Sequence, residues 1–437
     1  MIVDIIIIVA TCYYIAVKRK NYIPFAKDLL LFGFIFYIYI GTILMYYDQY
    51  YDVDHNFVKL MTLVRVCFFS ILLSYFLTSL FRRNDLCESI ASSRNIGFPQ
   101  LAMTILSIAV VGVSVVYPFV IPELPLLTSL FDPSSLMLSR QEATSSFPYY
   151  GFFSNFLNYF LPLVWLTLQF QRNRLYVPLA FLNLLLLLIT GQKAPVIYIF
   201  LLWFLAYTYT SNSLKFKRML FYGITIILFL ITIVYLQNKH LFDQLSFETI
   251  YLSVNGLFHR IFYGGVIPLL QYIEYFPSIH PHYFLDAPET PPSVLVHAYN
   301  YPDNGLGSVN TVSAANMYAS LGSLFFAGIA FFTLTLLIFS IDLFIFNKLK
   351  SPLDLACYTL FCLTTFKIVL SDWYSVLPIY FTLVLSFYGF FYAIQGILNG
   401  IHTTRFTFKS PNLYFSILCL LIMLYFMQGQ FRSLLNA

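Results

Sequence analysis

Charge is what this chain has least of. Only 10% of its 437 residues are Asp, Glu, Lys or Arg, against 59% hydrophobic residues, and the mean hydropathy is +0.78. Such a composition leaves little chain for a soluble domain. Alternating polar and apolar stretches are lacking too. The apolar runs are continuous and about 20 residues long, enough to cross a hydrocarbon core, so helices are expected and a membrane barrel is excluded. Cysteine is sparse: Cys12, Cys67, Cys87, Cys357, Cys362 and Cys419 fall in predicted spans or on the basic side of them, so no disulfide framework is expected in the opposite loops. No Cys and His pairs stand at ligand spacing, which argues against a structural zinc site. The first run, 2–17, lacks a basic leader and a small-residue cleavage site, and reads as a retained helix. An internal repeat is also missing, which weighs against a transporter built from repeats.

What remains is an all-α, polytopic membrane protein. About twelve spans are predicted, at 2–17, 26–46, 57–81, 101–118, 151–171, 175–190, 194–210, 218–237, 319–346, 352–370, 377–397 and 412–430. The whole chain, 1–437, reads as one transmembrane domain. Lys18, Arg19, Lys20, Arg82, Arg83, Lys215, Lys217, Arg218, Lys348 and Lys350 cluster between spans on one side. The positive-inside rule makes that side cytoplasmic and puts both termini outside. The net charge of +5 is thereby explained by topology, and no nucleic-acid partner is implied.

Two insertions fall on the outer side. The first covers 119–150; the second, 238–318, is the longest polar stretch. Loops longer than about 15 residues are uncommon unless they do something. Within the second, Phe247 to Tyr275 has apolar content for one or two interfacial helices broken at Gly264-Gly265. From Phe276 to Asn310 the composition turns to Pro, His, Tyr, Asn and Gly, and an irregular segment is expected.

A few cations stand alone on this outer side. Arg140 lies in the first insertion, Lys193 in the tight connection Thr190-Gly191-Gln192-Lys193-Ala194-Pro195, and Arg260 in an apolar interfacial stretch. Lys239 at a span mouth reads as a snorkelling anchor. Ion pairs with Glu142 or Glu248 would account for Arg140 and Arg260, and interfacial anchoring for Lys193. The sharper reading has Arg140, Lys193 and Arg260 converge on a pyrophosphate, because guanidinium groups bind phosphate oxygens in pairs and lysine supplies a point charge. Arg65 and Lys367 are the deepest charges inside spans and are expected to face protein or snorkel; both are candidates to support the same site. Glu142, His282, His280, His297 and His259 are the candidate general bases, imidazole having the better ordinary pKa for the task. Tyrosines of the outer loop such as Tyr275, Tyr283, Tyr299 and Tyr301 offer sugar-stacking faces, although aromatics equally suit lipid-facing belts.

The turn Thr190-Gly191-Gln192-Lys193-Ala194, the segment Leu138 to Glu142, and Gly307-Ser308-Val309-Asn310-Thr311 followed by Asn316-Met317-Tyr318-Ala319-Ser320-Leu321-Gly322 resemble short motifs of O-antigen polymerases and ligases. With the span count and long outer loop, the chain is similar to the oligosaccharide repeat-unit (Wzy-type) polymerases. It departs from them at Lys193, where they carry Arg, and at Leu321, where they carry an aromatic. The resemblance implies a GT-C-like glycosyltransferase of the bacterial inner membrane that needs no metal or other cofactor. Its partners would be undecaprenyl-pyrophosphate-linked oligosaccharides, membrane lipids and a chain-length regulator protein. It further implies transfer of a growing glycan from undecaprenyl pyrophosphate to the terminal sugar hydroxyl of an incoming repeat unit, with Asn310 and Tyr318 in support. An O-antigen ligase would share the outer cations. A flippase for lipid-linked oligosaccharides would instead line a central cavity with charge and keep its outer loops short.

Overall fold

The computed structural model describes residues 2–18, 25–47, 55–80, 100–125, 127–128, 139, 142–143, 147–189, 193–211, 223–225, 227–228, 231–232, 247–283, 290–302, 312–346, 349, 351–371 and 373–403. Every regular element among them is helical: α1 (Ile2–Lys18), α2 (Ala26–Tyr47), α3 (His55–Leu80), α4 (Gln100–Val120), α5 (Tyr150–Phe170), α6 (Tyr176–Ile189), α7 (Lys193–Ser211), α8 (Phe247–Phe262), α9 (Val266–Tyr275), α10 (Pro292–Asn300), α11 (Ser313–Leu321), α12 (Leu324–Phe346), α13 (Pro352–Leu370) and α14 (Trp373–Thr403). Seven of these, α2, α3, α4, α5, α7, α12 and α13, are long and apolar enough to cross a membrane, with shorter apolar helices at Ile2–Ile15, Tyr176–Ile189 and Val376–Phe391. The chain is therefore a polytopic helical membrane protein. Most of the predicted span 218–237 and all of 412–430 lie outside the described residues.

The most buried of the long helices is α13, which packs against α2, α5 and α7. Its start is written into the sequence: the Ser351 hydroxyl accepts the Asp354 N–H at 3.1 Å, and Pro352 occupies the first turn, where a missing N–H costs nothing. Polar side chains lace the bundle together. On α3, Ser70 donates to the Gly328 carbonyl at 3.2 Å and Ser74 shares a 2.8 Å bond with Thr335, so α3 and α12 run parallel. Near one end, Tyr75 donates to Asp28 and Tyr358 to Asp342, both at 2.8 Å. Near the other, Arg65 grips Asp4 with two bonds of 2.9 and 2.7 Å while Tyr39 donates to the same carboxylate at 2.7 Å. Each contact joins residues that the sequence puts on one side of the membrane. The ends are called basic and loop ends below.

Two long helices contain a π-helical turn, at Ile35–Tyr39 in α2 and Phe156–Phe160 in α5. The second has a visible cause. Pro162 carries no N–H, and Leu161 bonds back to Phe156 instead of Leu157. The stranded Leu157 carbonyl then accepts the Asn183 amide of α6 at 2.9 Å, while the Asn183 oxygen accepts the Trp165 indole N–H at 3.2 Å. One buried asparagine thus satisfies the irregular backbone and ties α5 to α6.

Two expectations need correction. The span expected over 319–346 divides, because Gly322 adopts φ 71° and ends α11 before α12 begins at Leu324; only glycine takes that left-handed conformation without strain. The stretch expected to be irregular between Phe276 and Asn310 contains α10, begun by Pro292 at a first-turn position. The expected break at Gly264-Gly265 separates α8 from α9.

Asn183→Leu should lower the thermal stability of the detergent-solubilised protein strongly, because two buried groups lose partners at about 1–3 kcal/mol each. Phe181→Ala, at a 55% exposed position on the same helix, should change it by no more than about 0.5 kcal/mol. Melting followed by fluorescence-detected gel filtration compares them, and equal melting would remove the role given to Asn183.

Candidate functional site

The second insertion builds a helical lid, α8 to α11, on the loop end of the bundle. It docks by close backbone approach: a Cβ on Gly41 of α2 would stand 1.8 Å from the Phe262 carbonyl oxygen. At the break between α8 and α9, the Tyr37 ring fills the space beside Gly265, where a Cβ would lie 2.4 Å from its Cε1. On the far side, the Ser313 hydroxyl at the start of α11 bonds the Ile368 and Ser371 carbonyls at the end of α13, both at 2.8 Å. The lid is thus fastened to both α2 and α13.

Inside the lid, the segment after α9 folds back over Tyr275 and Phe276 and gathers two of the candidate bases. The His280 ring stacks at 6.0 Å on Tyr275 and lies 5.1 Å from Tyr283. The His282 ring stacks at 5.8 Å on Phe276, with Tyr318 edge-on at 5.1 Å. Tyr318 is itself held by donating to the Phe276 carbonyl at 3.2 Å. The Nδ1 of His282 faces the Ala319 carbonyl at 3.3 Å. In the neutral ring that nitrogen carries the hydrogen it gives to this carbonyl. Burial holds the His282 pKa below the ordinary 6.5, against the raising effect of its backbone hydrogen bonds, so the ring is neutral at neutral pH. Burial also raises the phenols of Tyr275, Tyr283 and Tyr318; they remain protonated donors.

His297 lies on α10, joined to this cluster through Tyr299, whose ring meets Tyr275 at 5.4 Å. Its own ring packs on Tyr301 at 5.2 Å, and Tyr301 accepts from Gln271 at 3.0 Å. The buried Nδ1 of His297 and the Tyr283 hydroxyl have no hydrogen-bond partner among the described residues. His259 is elsewhere, against Tyr263 at 4.9 Å on α8. Glu142 is elsewhere as well, hydrogen-bonded to Glu123, whose carboxyl is raised above the ordinary 4.5 first by that bond. The Glu142 environment in hand is a carboxyl pair and not the imidazole cluster.

Of the three cations assigned to pyrophosphate, Arg260 is exposed on the last turn of α8, and its carbonyl packs on Gly264 beside Tyr37. Lys193 opens α7, with its side chain outside the described residues. Arg140 and Asn310 also lie outside them, as do Lys239 and the side chain of Glu248.

The deep charges separate. Arg65 is committed to Asp4, a structural pairing. Lys367, in the last turn of α13 and only 6% exposed, forms no ion pair or hydrogen bond with any described residue. Its Nζ sits 4.5 Å from the ring centre of Tyr159 and 4.4 Å from that of Tyr198, with Tyr37 within electrostatic reach of Tyr198. Tyr37 and Tyr159 belong to the two π turns. The sequence marks Lys367, but nothing among 35 tyrosines distinguishes its three neighbours; the only pointer is Pro162, which causes one of the π turns.

Gly41→Ala should loosen the lid, since the added methyl displaces the Phe262 carbonyl at about 1–3 kcal/mol. The expected result is tryptic cleavage after the exposed Arg260 accelerated at least about fivefold. Gly112→Ala, where a Cβ meets nothing within 4 Å, should leave it unchanged; equal rates in both variants would contradict the docking.

No protein-family model, curated protein or solved structure matches this chain.

Proposed function

We propose that this chain is a glycosyltransferase that polymerises lipid-linked oligosaccharide repeat units on the extracytoplasmic face of a bacterial inner membrane, in the manner of the Wzy-type polymerases that its short motifs resemble. The observation that carries the reading is the lid: an insertion that packs two imidazoles and a set of tyrosine faces over the end of a helical membrane bundle. Sugars are recognised by stacking on such faces, and a lipid-borne substrate arrives at that depth.

In this reading the terminal hydroxyl of the incoming repeat unit gives its proton to a base, and its oxygen attacks the anomeric carbon of the donor glycan. The bond from that carbon to the pyrophosphate oxygen breaks, and polyprenyl pyrophosphate leaves with the electron pair. His282 is the first choice of base because its ring is held against the Ala319 carbonyl and between Phe276 and Tyr318, and burial keeps it in the neutral form that can accept a proton. His280, His297 and Glu142 stand behind it, and Tyr318 positions the His282 ring. Arg260, Lys193 and Arg140 are assigned to the departing pyrophosphate, whose growing charge they neutralise, a task that needs no metal. Asn310 is assigned to substrate support.

Proteoliposomes supplied with a lipid-pyrophosphate repeat unit test the proposal. A ladder of longer glycans is expected from the wild type, and transport without a ladder would identify a flippase instead. His282→Gln should slow polymerisation about 10²- to 10⁴-fold, and Arg260→Ala should weaken it as well. Protonation removes the base, and burial places the His282 pKa below 6.5, so kcat/KM should hold its plateau down to that pH and fall only beneath it. An acid limb above 6.5, or one unchanged in His282→Gln, would remove His282 from the role.

A further inference from the structure

Lys367 presents an unusual combination. Its ammonium is buried inside the bundle near the loop end, and it meets no carboxylate, carbonyl or hydroxyl oxygen among the described residues. The two ring faces hold it in place, and the attraction of a cation for an aromatic face offsets part of its lost hydration. They accept none of its three N–H bonds as a carboxylate would. The hydroxyls of Tyr159 and Tyr198 belong to the two rings that flank the ammonium, and Tyr159 is itself 6% exposed. One ammonium and three phenols therefore stand together without a carboxylate among the described residues, in a bundle where the phenols of Tyr39, Tyr75 and Tyr358 donate to carboxylates at 2.7 to 2.8 Å.

We propose that Lys367, Tyr37, Tyr159 and Tyr198 form an intramembrane site for a phosphate or pyrophosphate group. A phosphate supplies several acceptor oxygens with net negative charge, which matches one fixed cation surrounded by neutral donors. Two features of the backbone serve the site. Tyr37 and Tyr159 stand on π-helical turns, irregularities frequent at functional positions. Tyr37 also packs beneath the Gly264-Gly265 break of the lid, so the outer Arg260 lies one turn away from the same tyrosine. The group arrives either on a polyprenyl chain or as a free anion; its assignment to a lipid-linked substrate rests on the polymerase reading, whereas the anion site does not.

Binding without turnover keeps the two proposals apart. Wild-type protein in nanodiscs is titrated with polyprenyl pyrophosphate, with polyprenol and with inorganic pyrophosphate. Polyprenyl pyrophosphate should bind more tightly than polyprenol, and Lys367→Met should weaken it about 10- to 100-fold. That variant should melt no lower than the wild type, because an uncompensated buried charge has been replaced by an apolar chain of similar length. The double variant Tyr159→Phe, Tyr198→Phe keeps the packing and removes two donors, and it should lose affinity several-fold; it decides the matter if Lys367→Met does not fold. Inorganic pyrophosphate binding tightly and with the same dependence on Lys367 would support the site and make a free anion its source. Unchanged affinity in folded Lys367→Met, or equal affinity for polyprenol, would overturn the site. Lys367-dependent binding in a protein that makes no glycan ladder would sustain the site and sink the polymerase.

Discussion

A hydrocarbon interior contains no water to complete a hydrogen bond, and the organisation of this protein follows from that constraint. Backbone groups are closed within helices, and at the π turn of α5 a side chain repairs the irregularity, Asn183 bonding the Leu157 carbonyl. Carboxylates of the bundle receive phenolic hydrogens: the buried Asp4 from Tyr39, Asp28 from Tyr75 and Asp342 from Tyr358, and the half-buried Asp354 from Tyr388. Against that background Lys367 stands out. A lysine costs up to about 2.5–3.5 kcal/mol on insertion scales at the centre of a membrane helix and less toward its ends; Lys367 stands in the last turn of α13 but is buried there with no described carboxylate to offset its charge. The simplest physical account is that its counter-charge comes from outside the chain.

The same constraint explains the lid. Polar, histidine-rich chain cannot enter the bundle, so it folds on top, and it is held there by contacts that leave no room for side chains. Gly41 lets the Phe262 carbonyl approach, Gly265 lets the Tyr37 ring approach, and Ser313 borrows the carbonyls at the frayed end of α13. Tyr37 is consequently shared between the break in the lid and the neighbourhood of Lys367.

Much of the fold was legible in the sequence because hydrophobic length is a direct physical requirement of the bilayer. The break at Gly264-Gly265 and the depth of Lys367 could be read for the same reason. Other features could not. The division at Gly322 depends on a left-handed residue inside an apolar run, and α10 was hidden by proline and histidine content that reads as loop. Arg65 and Lys367 looked alike as buried cations, and only the packing of α1 against α3 showed that Asp4 occupies the arginine and leaves the lysine. Tyr37, Tyr159 and Tyr198 carried no signal, since aromatic wealth in a membrane protein has a bland explanation at every position. Glu142 stood among the candidate bases in the sequence, yet its partner is another carboxyl, Glu123, in the first insertion.

An electron cryo-microscopy map of the wild-type protein in nanodiscs loaded with polyprenyl pyrophosphate tests the counter-charge most directly. The expected map has head-group density against Lys367 Nζ, beneath Gly264-Gly265, with the tail leaving toward the lipid. A map in which Lys367 is paired with a carboxylate of its own chain and the head group lies elsewhere would contradict the account.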